Sequence, residues 1–171
     1  MFLAAPRSAY LHIPFCYQRC FYCDFAVVPL GSPTNRNSSS LIKSYLDILR
    51  SEISICPPGP PLSTIYIGGG TPSLLKPYEI GLILEDLKLH FGLQEGAEIT
   101  IEMDPASFNQ QDLAGYVEVG INRVSLGGQS FDDTVLRQLG RKHTRKDLLE
   151  VCGWINNLYQ NGQLLSWSLD L

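Results

Sequence analysis

A chain of 171 residues, 44% of them hydrophobic, has enough apolar material for one well-filled core. Its 13 basic and 17 acidic residues give a net charge of −4 and leave no cationic stripe for a nucleic acid. Mean hydropathy is near zero and no apolar run reaches the length of a bilayer span, which excludes a transmembrane protein.

Five cysteines, three of them crowded near the start, do not form a disulfide framework, so a reducing compartment is expected. Met1 to Ser8 is too short for a secretory signal, and Arg7 alone does not make a transit peptide. The expected location is cytoplasmic, or mitochondrial or plastid should a longer leader be missing.

Residues 1–8 read as a short N-terminal segment. The first strand is predicted near Ala9–Ile13, and directly after it stand Cys16, Cys20 and Cys23, spaced C-x3-C-x2-C. Three thiolates in one loop suit three irons of a four-iron cubane and leave the fourth iron open to a small molecule. A zinc site of the three cysteines with His12, or three inert buried cysteines, are the blander alternatives. Val27–Ser40, rich in Ser, Asn, Pro and Gly, reads as a flexible loop inside one strand–helix unit.

Helices are predicted over Leu41–Ile55, Tyr78–Phe91, Gln110–Glu118, Asp132–Leu139 and Arg145–Gln160, alternating with strands near Thr64–Gly68, Glu98–Glu102, Arg123–Leu126 and Leu165–Leu171. Pro77 suits a first helical turn, Thr144 and Asp147 resemble a capping pair, and Gly92, Gly120, Gly140 and Gly162 suit positions just past helix ends. Regular alternation argues for a parallel sheet. The chain stops inside its last predicted strand, so a truncated chain is expected.

Within these strands polar residues alternate with apolar ones, as Tyr10 and His12 against Leu11 and Ile13, or Thr100 and Glu102 against Ile99 and Ile101. A parallel strand covered on both faces would read as a continuous apolar run. One face of the sheet must therefore be polar, which predicts a ligand-filled cavity inside a curved sheet.

Gly68-Gly69-Gly70-Thr71-Pro72 closes the second main strand. It is neither a dinucleotide fingerprint nor a phosphate loop, yet glycines there let backbone groups approach a ligand. Glu102, Gln129 and Asp170 fall at strand ends, Arg141 after a helix end could fork onto a carboxylate, and His143 is expected to face solvent.

Taken together, Tyr-Leu-His-Ile-Pro-Phe-Cys from Tyr10, the C-x3-C-x2-C spacing, Gly-Gly-Gly-Thr-Pro-Ser, Ile-Glu-Met-Asp-Pro, Asn-Arg-Val-Ser-Leu-Gly-Gly-Gln-Ser-Phe and Leu-Gly-Arg resemble radical S-adenosylmethionine proteins of the coproporphyrinogen dehydrogenase/heme chaperone group. The resemblance implies a partial (β/α)6 barrel, truncated here at about the fifth strand, with residues 9–171 as an incomplete core domain. It implies a [4Fe-4S] cluster on Cys16, Cys20 and Cys23, and S-adenosylmethionine held by Tyr10, Tyr22, Gly69, Gly70, Thr71, Glu102, Gln129, Arg141 and Asp170. Family chemistry is electron transfer from cluster to sulfonium, giving methionine and a 5′-deoxyadenosyl radical.

The decarboxylase type carries a fourth cysteine two residues after the third. Phe25 stands there, and the chain lacks that type's N-terminal extension, so the resemblance implies the heme chaperone type, with heme as a further ligand and a heme acceptor protein as partner. The alternatives are an oxygen-independent coproporphyrinogen III decarboxylase or another radical enzyme. Gly128 stands where a branched aliphatic is usual in the group, which predicts a loss of packing.

Overall fold

The computed structural model of the chain describes residues 6–31 and 36–171. Its main sheet has five parallel strands in the order β1 (Ser8–Ile13), β4 (Leu62–Gly69), β5 (Leu93–Met103), β6 (Arg123–Gly127) and β7 (Ser166–Asp170). Two short strands, β2 (Phe15–Cys16) and β3 (Val28–Pro29), form a separate parallel pair that the sequence reading did not find. The helices are α1 (Arg36–Ile55), α2 (Pro77–Phe91), α3 (Gln110–Glu118), α4 (Asp133–Gln138) and α5 (Arg145–Gln160).

Each strand pairs with the next main strand in the chain. Parallel crossovers are almost always right-handed, so sequential order places all the connecting helices on one side of the sheet. That side is apolar. Ile65, Ile67, Ile99, Ile101, Val124 and Leu126 from the strands meet Ile80, Ile83, Leu84 and Leu87 of α2, Leu113 and Tyr116 of α3, and Leu148, Val151 and Ile155 of α5 in one core.

The opposite face carries rows set by register. Tyr10, Tyr66, Thr100, Arg123 and Ser166 are successive partners across all five strands, and Glu102, Ser125 and Ser168 form the next row. A parallel sheet covered on one face only, with polar side chains on the other, is the open α/β barrel segment expected from the alternation.

Helix ends follow local chemistry. Gly92, Gly120, Gly140 and Gly162 all have positive φ just past helices, and Thr144 with Asp147 forms a reciprocal capping box at the start of α5. Two boundaries differ from expectation by five residues, the others by at most two. α1 begins at Arg36, inside the predicted loop, whose residues 32–35 lie outside the described ones; Ser38 Oγ donates to Leu30 O, a tertiary tie that overrides the weak helix propensity of a Ser-rich run. β5 begins at Leu93, and a register shift between Leu62 and Thr64 absorbs the extra residues.

Two further expectations are corrected. His143 is buried at 3% exposure, because its ring packs under the turn after β6 and not on the helix surface. Gly128 causes no packing loss: a Cβ there would stand 2.6 Å from Leu169 Cδ1 and 3.1 Å from Leu148 Cδ2, so neighbouring leucines already fill the space.

Tyr116, fully buried on α3, donates its hydroxyl to the carbonyls of Ser73 (3.1 Å) and Leu75 (2.6 Å), tying the 3-10 turn Pro72–Leu74 to the helix layer. Burial pushes its phenol well above the ordinary tyrosine range. Tyr116→Phe should destabilise the chain by about 1–3 kcal/mol, since two buried carbonyls lose their donor. Urea denaturation with an unchanged m-value checks this.

Candidate functional site

The carboxyl ends of the strands open onto a cavity of about 870 Å³. All three clustered cysteines line it. Cys16 ends β2 and is buried, while Cys20 and Cys23 sit half-buried on the following loop. That loop is shaped by distant residues: Gln18 Nε2 donates to Gly140 O at 2.6 Å, and the Phe21 amide donates to Leu139 O at 3.2 Å. Within it, the Cys23 amide donates to Cys20 O at 3.1 Å and Arg19 Nε to Cys23 O at 2.8 Å.

The donor set fits an iron–sulfur cubane better than a zinc ion. His12 has both ring nitrogens engaged, Nε2 with Ala26 O at 2.9 Å and Nδ1 with the Tyr10 hydroxyl at 3.2 Å. Among the described residues no three His, Cys, Asp or Glu side chains converge on a point that could hold one ion. A cubane instead takes each thiolate on a separate iron. Thr71 Oγ1 donates to Cys16 Sγ at 3.4 Å; burial pushes that thiol's pKa up, and the Thr71 bond opposes the push. A Cβ on Gly70 would lie 2.7 Å from Phe15 O and 2.9 Å from Cys16 Sγ, so only glycine lets this backbone pass beside the thiol.

Across the cavity, Glu102 accepts from the Tyr66 hydroxyl at 2.8 Å and from the Gly69 amide at 3.1 Å. Burial and then Glu102 push the Tyr66 phenol up to about 12, so it remains a donor at neutral pH. Asp170 Oδ2 accepts from Ser125 Oγ, which in turn accepts from Ser168 Oγ, both at 3.1 Å.

Arg141 is 9% exposed. It meets a carboxylate, Asp104, through Nη2 alone at 2.9 Å, so the expected fork does not form, and Nε is buried with no hydrogen-bond partner among the described residues. Nη2 also donates to Gly127 O at 2.6 Å, while Nη1 lies 3.5 Å from the Tyr22 hydroxyl and 3.9 Å from Cys20 Sγ. Burial raises the Tyr22 phenol pKa, against the opposing pull of Arg141.

Of the residues singled out from sequence, Tyr22, Gly69, Gly70, Thr71, Glu102, Gln129, Arg141 and Asp170 all line the cavity with the three cysteines. Tyr10 does not. It is 59% exposed on the edge strand, stacked on Tyr66 with ring centroids 6.0 Å apart. Asp104, Tyr66 and Ser125 were missed, although strand parity places them on the same face as Glu102.

The chain matches the family model of the radical SAM superfamily over residues 10–166. It is 41% identical to a protein named heme chaperone HemW from Synechocystis over 97% of this chain and 39% of that protein. A bovine protein named radical S-adenosyl methionine domain-containing protein 1, mitochondrial, is 34% identical over 89% of this chain and 34% of its own length. Among solved structures, coproporphyrinogen III oxidase HemN from Escherichia coli, described as a radical SAM enzyme, superposes with a TM-score of 0.80 at 29% identity, over 97% of this chain and 37% of that one. The chain thus spans about two fifths of the length of the curated relatives it matches.

Breaking the Arg141–Asp104 pair should be far costlier than breaking an exposed one. Asp104→Ala leaves a nearly buried guanidinium short of its counterion, a loss near the lower end of ~3–5 kcal/mol. Lys76→Ala, which removes the 61%-exposed partner of Asp112 and leaves that carboxylate its bond from the Asn109 amide, should cost under about 1 kcal/mol. Chemical denaturation of the two variants side by side measures the difference.

Proposed function

The chain belongs to the radical SAM superfamily, and from that premise we propose that it binds a [4Fe-4S] cluster through Cys16, Cys20 and Cys23, with S-adenosylmethionine beside it, in the service of heme handling. The observation that carries the reading is the single cavity onto which the three thiols, the Gly69–Thr71 turn, Glu102, Gln129, Arg141 and Asp170 all open. Residues 9–171 act as the core domain of such a protein.

The cluster and S-adenosylmethionine together supply one-electron reduction of a sulfonium. This chain's own residues bind and orient. Glu102, fixed by two donors, keeps acceptor capacity for a cationic amino group on the ligand. Arg141, with Nη2 taken by Asp104 and Gly127, keeps Nη1 beside the Tyr22 hydroxyl and the Cys20 sulfur, where it can stabilise a thiolate. The Gly69–Thr71 backbone, bare of Cβ atoms at its first two positions, admits a ligand edge at close range.

Within the superfamily the heme chaperone role is favoured over porphyrinogen decarboxylation. Phe25, on the cavity wall and 65% exposed, occupies the position at which the decarboxylase type carries its fourth cysteine. Similarity to proteins named heme chaperone HemW supports the same choice. The fold likeness to the HemN oxidase keeps the decarboxylase as the second reading. Heme would then be cargo for an acceptor protein in a reducing compartment, cytoplasmic or, given the mitochondrial relative, mitochondrial.

Anaerobic reconstitution should load about four irons per chain. Cys16→Ala, Cys20→Ala and Cys23→Ala should each abolish loading, whereas Cys56→Ala and Cys152→Ala should not. Glu102→Ala should keep the iron and lose about 1.5–3 kcal/mol of S-adenosylmethionine affinity, one charge-assisted bond. Stoichiometric zinc without sulfide would refute the assignment.

A form of the protein as long as its curated relatives should bind heme in titration and fail to convert coproporphyrinogen III under reductant and S-adenosylmethionine. Catalytic formation of protoporphyrinogen would overturn the chaperone reading, and so would the absence of heme binding.

A further inference from the structure

Gln129 is the one residue other than glycine with positive φ among the described residues, at +66°. An L side chain takes that conformation against its local preference, so surrounding bonds must hold it there, and such strain tends to collect at functional sites. Five bonds do so at the turn after β6. The amides of Gly128 and Gln129 both donate to Asp170 O, at 3.1 and 2.7 Å, the Gly128 amide also lies 3.0 Å from Leu126 O, and Gly128 O accepts from the Ser130 amide at 2.9 Å with His143 Nε2 3.0 Å away. Bulk completes the restraint, since Leu148 and Leu169 close on Gly128 from the core side.

A carbonyl only accepts, so Nε2 of His143 must carry the proton. Nδ1 is buried with no hydrogen-bond partner among the described residues. Protonating it would put a second cation beside the buried Arg141, and burial followed by Arg141 holds the imidazole pKa down. Asp104 and Asp147 pull the other way and are outweighed. The ring therefore serves as a neutral donor. It does not touch the cavity.

We infer that His143 is a positioning residue: by donating to Gly128 O it locks the peptide between Gly128 and Gln129 and holds the Gln129 side chain on the wall of the ligand cavity. The inference rests on the proposed S-adenosylmethionine site and concerns how one of its walls is kept in place. No sequence pattern marks His143 for this task, because its partner is a backbone atom 15 residues away.

The test uses cluster-loaded protein with S-adenosylmethionine as the probe. His143→Leu removes the donor, whereas His143→Gln keeps an N–H in reach of the carbonyl. Affinity should fall roughly ten-fold in the Leu variant, the value of one such hydrogen bond, and return in the Gln variant, with iron content equal in all three proteins. Combined with Gln129→Ala, the Leu substitution should add little further loss; additive losses would overturn the inference, because His143 would then act by another route. Hydrogen exchange needs no ligand: the Gly128 and Gln129 amides should exchange faster in the Leu variant than in the wild type or the Gln variant. Equal exchange in all three would overturn the inference too. In wild-type protein, 15N spectra should show the proton on Nε2, and an Nδ1-protonated ring would equally sink it. Failure of the wild type to load iron or bind S-adenosylmethionine would fall on the proposed function, while exchange and tautomer still decide the role of His143.

Discussion

The structure depends on a sheet covered by helices on one side only. Sequential strand order and right-handed crossovers put α1, α2, α3 and α5 in one core with Ile65, Ile67, Ile101 and Val124, and so leave Tyr66, Thr100, Glu102, Ser125 and Ser168 on the other face. A polar inner face cannot be packed shut with aliphatics, as in a filled barrel. It must be satisfied by its own hydrogen bonds, by water or by a ligand. The cavity at the strand ends is the consequence, and every candidate ligand residue takes its position from that geometry.

Two devices keep the cavity wall in shape. One is electrostatic: Glu102 and Arg141 do not stand free but are held by Tyr66, Gly69, Asp104 and Gly127, so their orientation is set before any ligand arrives. Preorganised charge of this kind spares the ligand the cost of ordering its partners. The other is steric. Gly70 must lack a Cβ so that the backbone can pass Cys16, and Gly128 must lack one because Leu148 and Leu169 occupy the room. The same residue type thus clears a thiol at one strand end and makes room for core packing at another.

Much of this could be read in advance. Helix ends at Gly92, Gly120, Gly140 and Gly162 and the Thr144–Asp147 box depend on a few adjacent residues, and they lie where local chemistry places them. Strand parity identified the polar face from alternation alone, because side chains in a strand alternate whatever the tertiary structure. The short pair Phe15–Cys16 with Val28–Pro29 escaped notice, since two-residue strands carry no periodicity. His143 was misplaced for a related reason: a basic residue in a polar run reads as exposed, and only a carbonyl brought to it by folding makes burial tolerable.

By itself, then, the sequence determined the order of elements, the side of the sheet that is polar and the residue types available for metal and ligand, because these follow from short-range periodicity and side-chain chemistry. Tertiary structure alone decided that Arg141 pairs with Asp104, that Tyr10 stands outside the cavity while Tyr66 reaches Glu102, and that His143 supports the Gln129 turn. Each of those facts joins atoms distant along the chain, and their meeting depends on strand register and helix packing that no local pattern encodes.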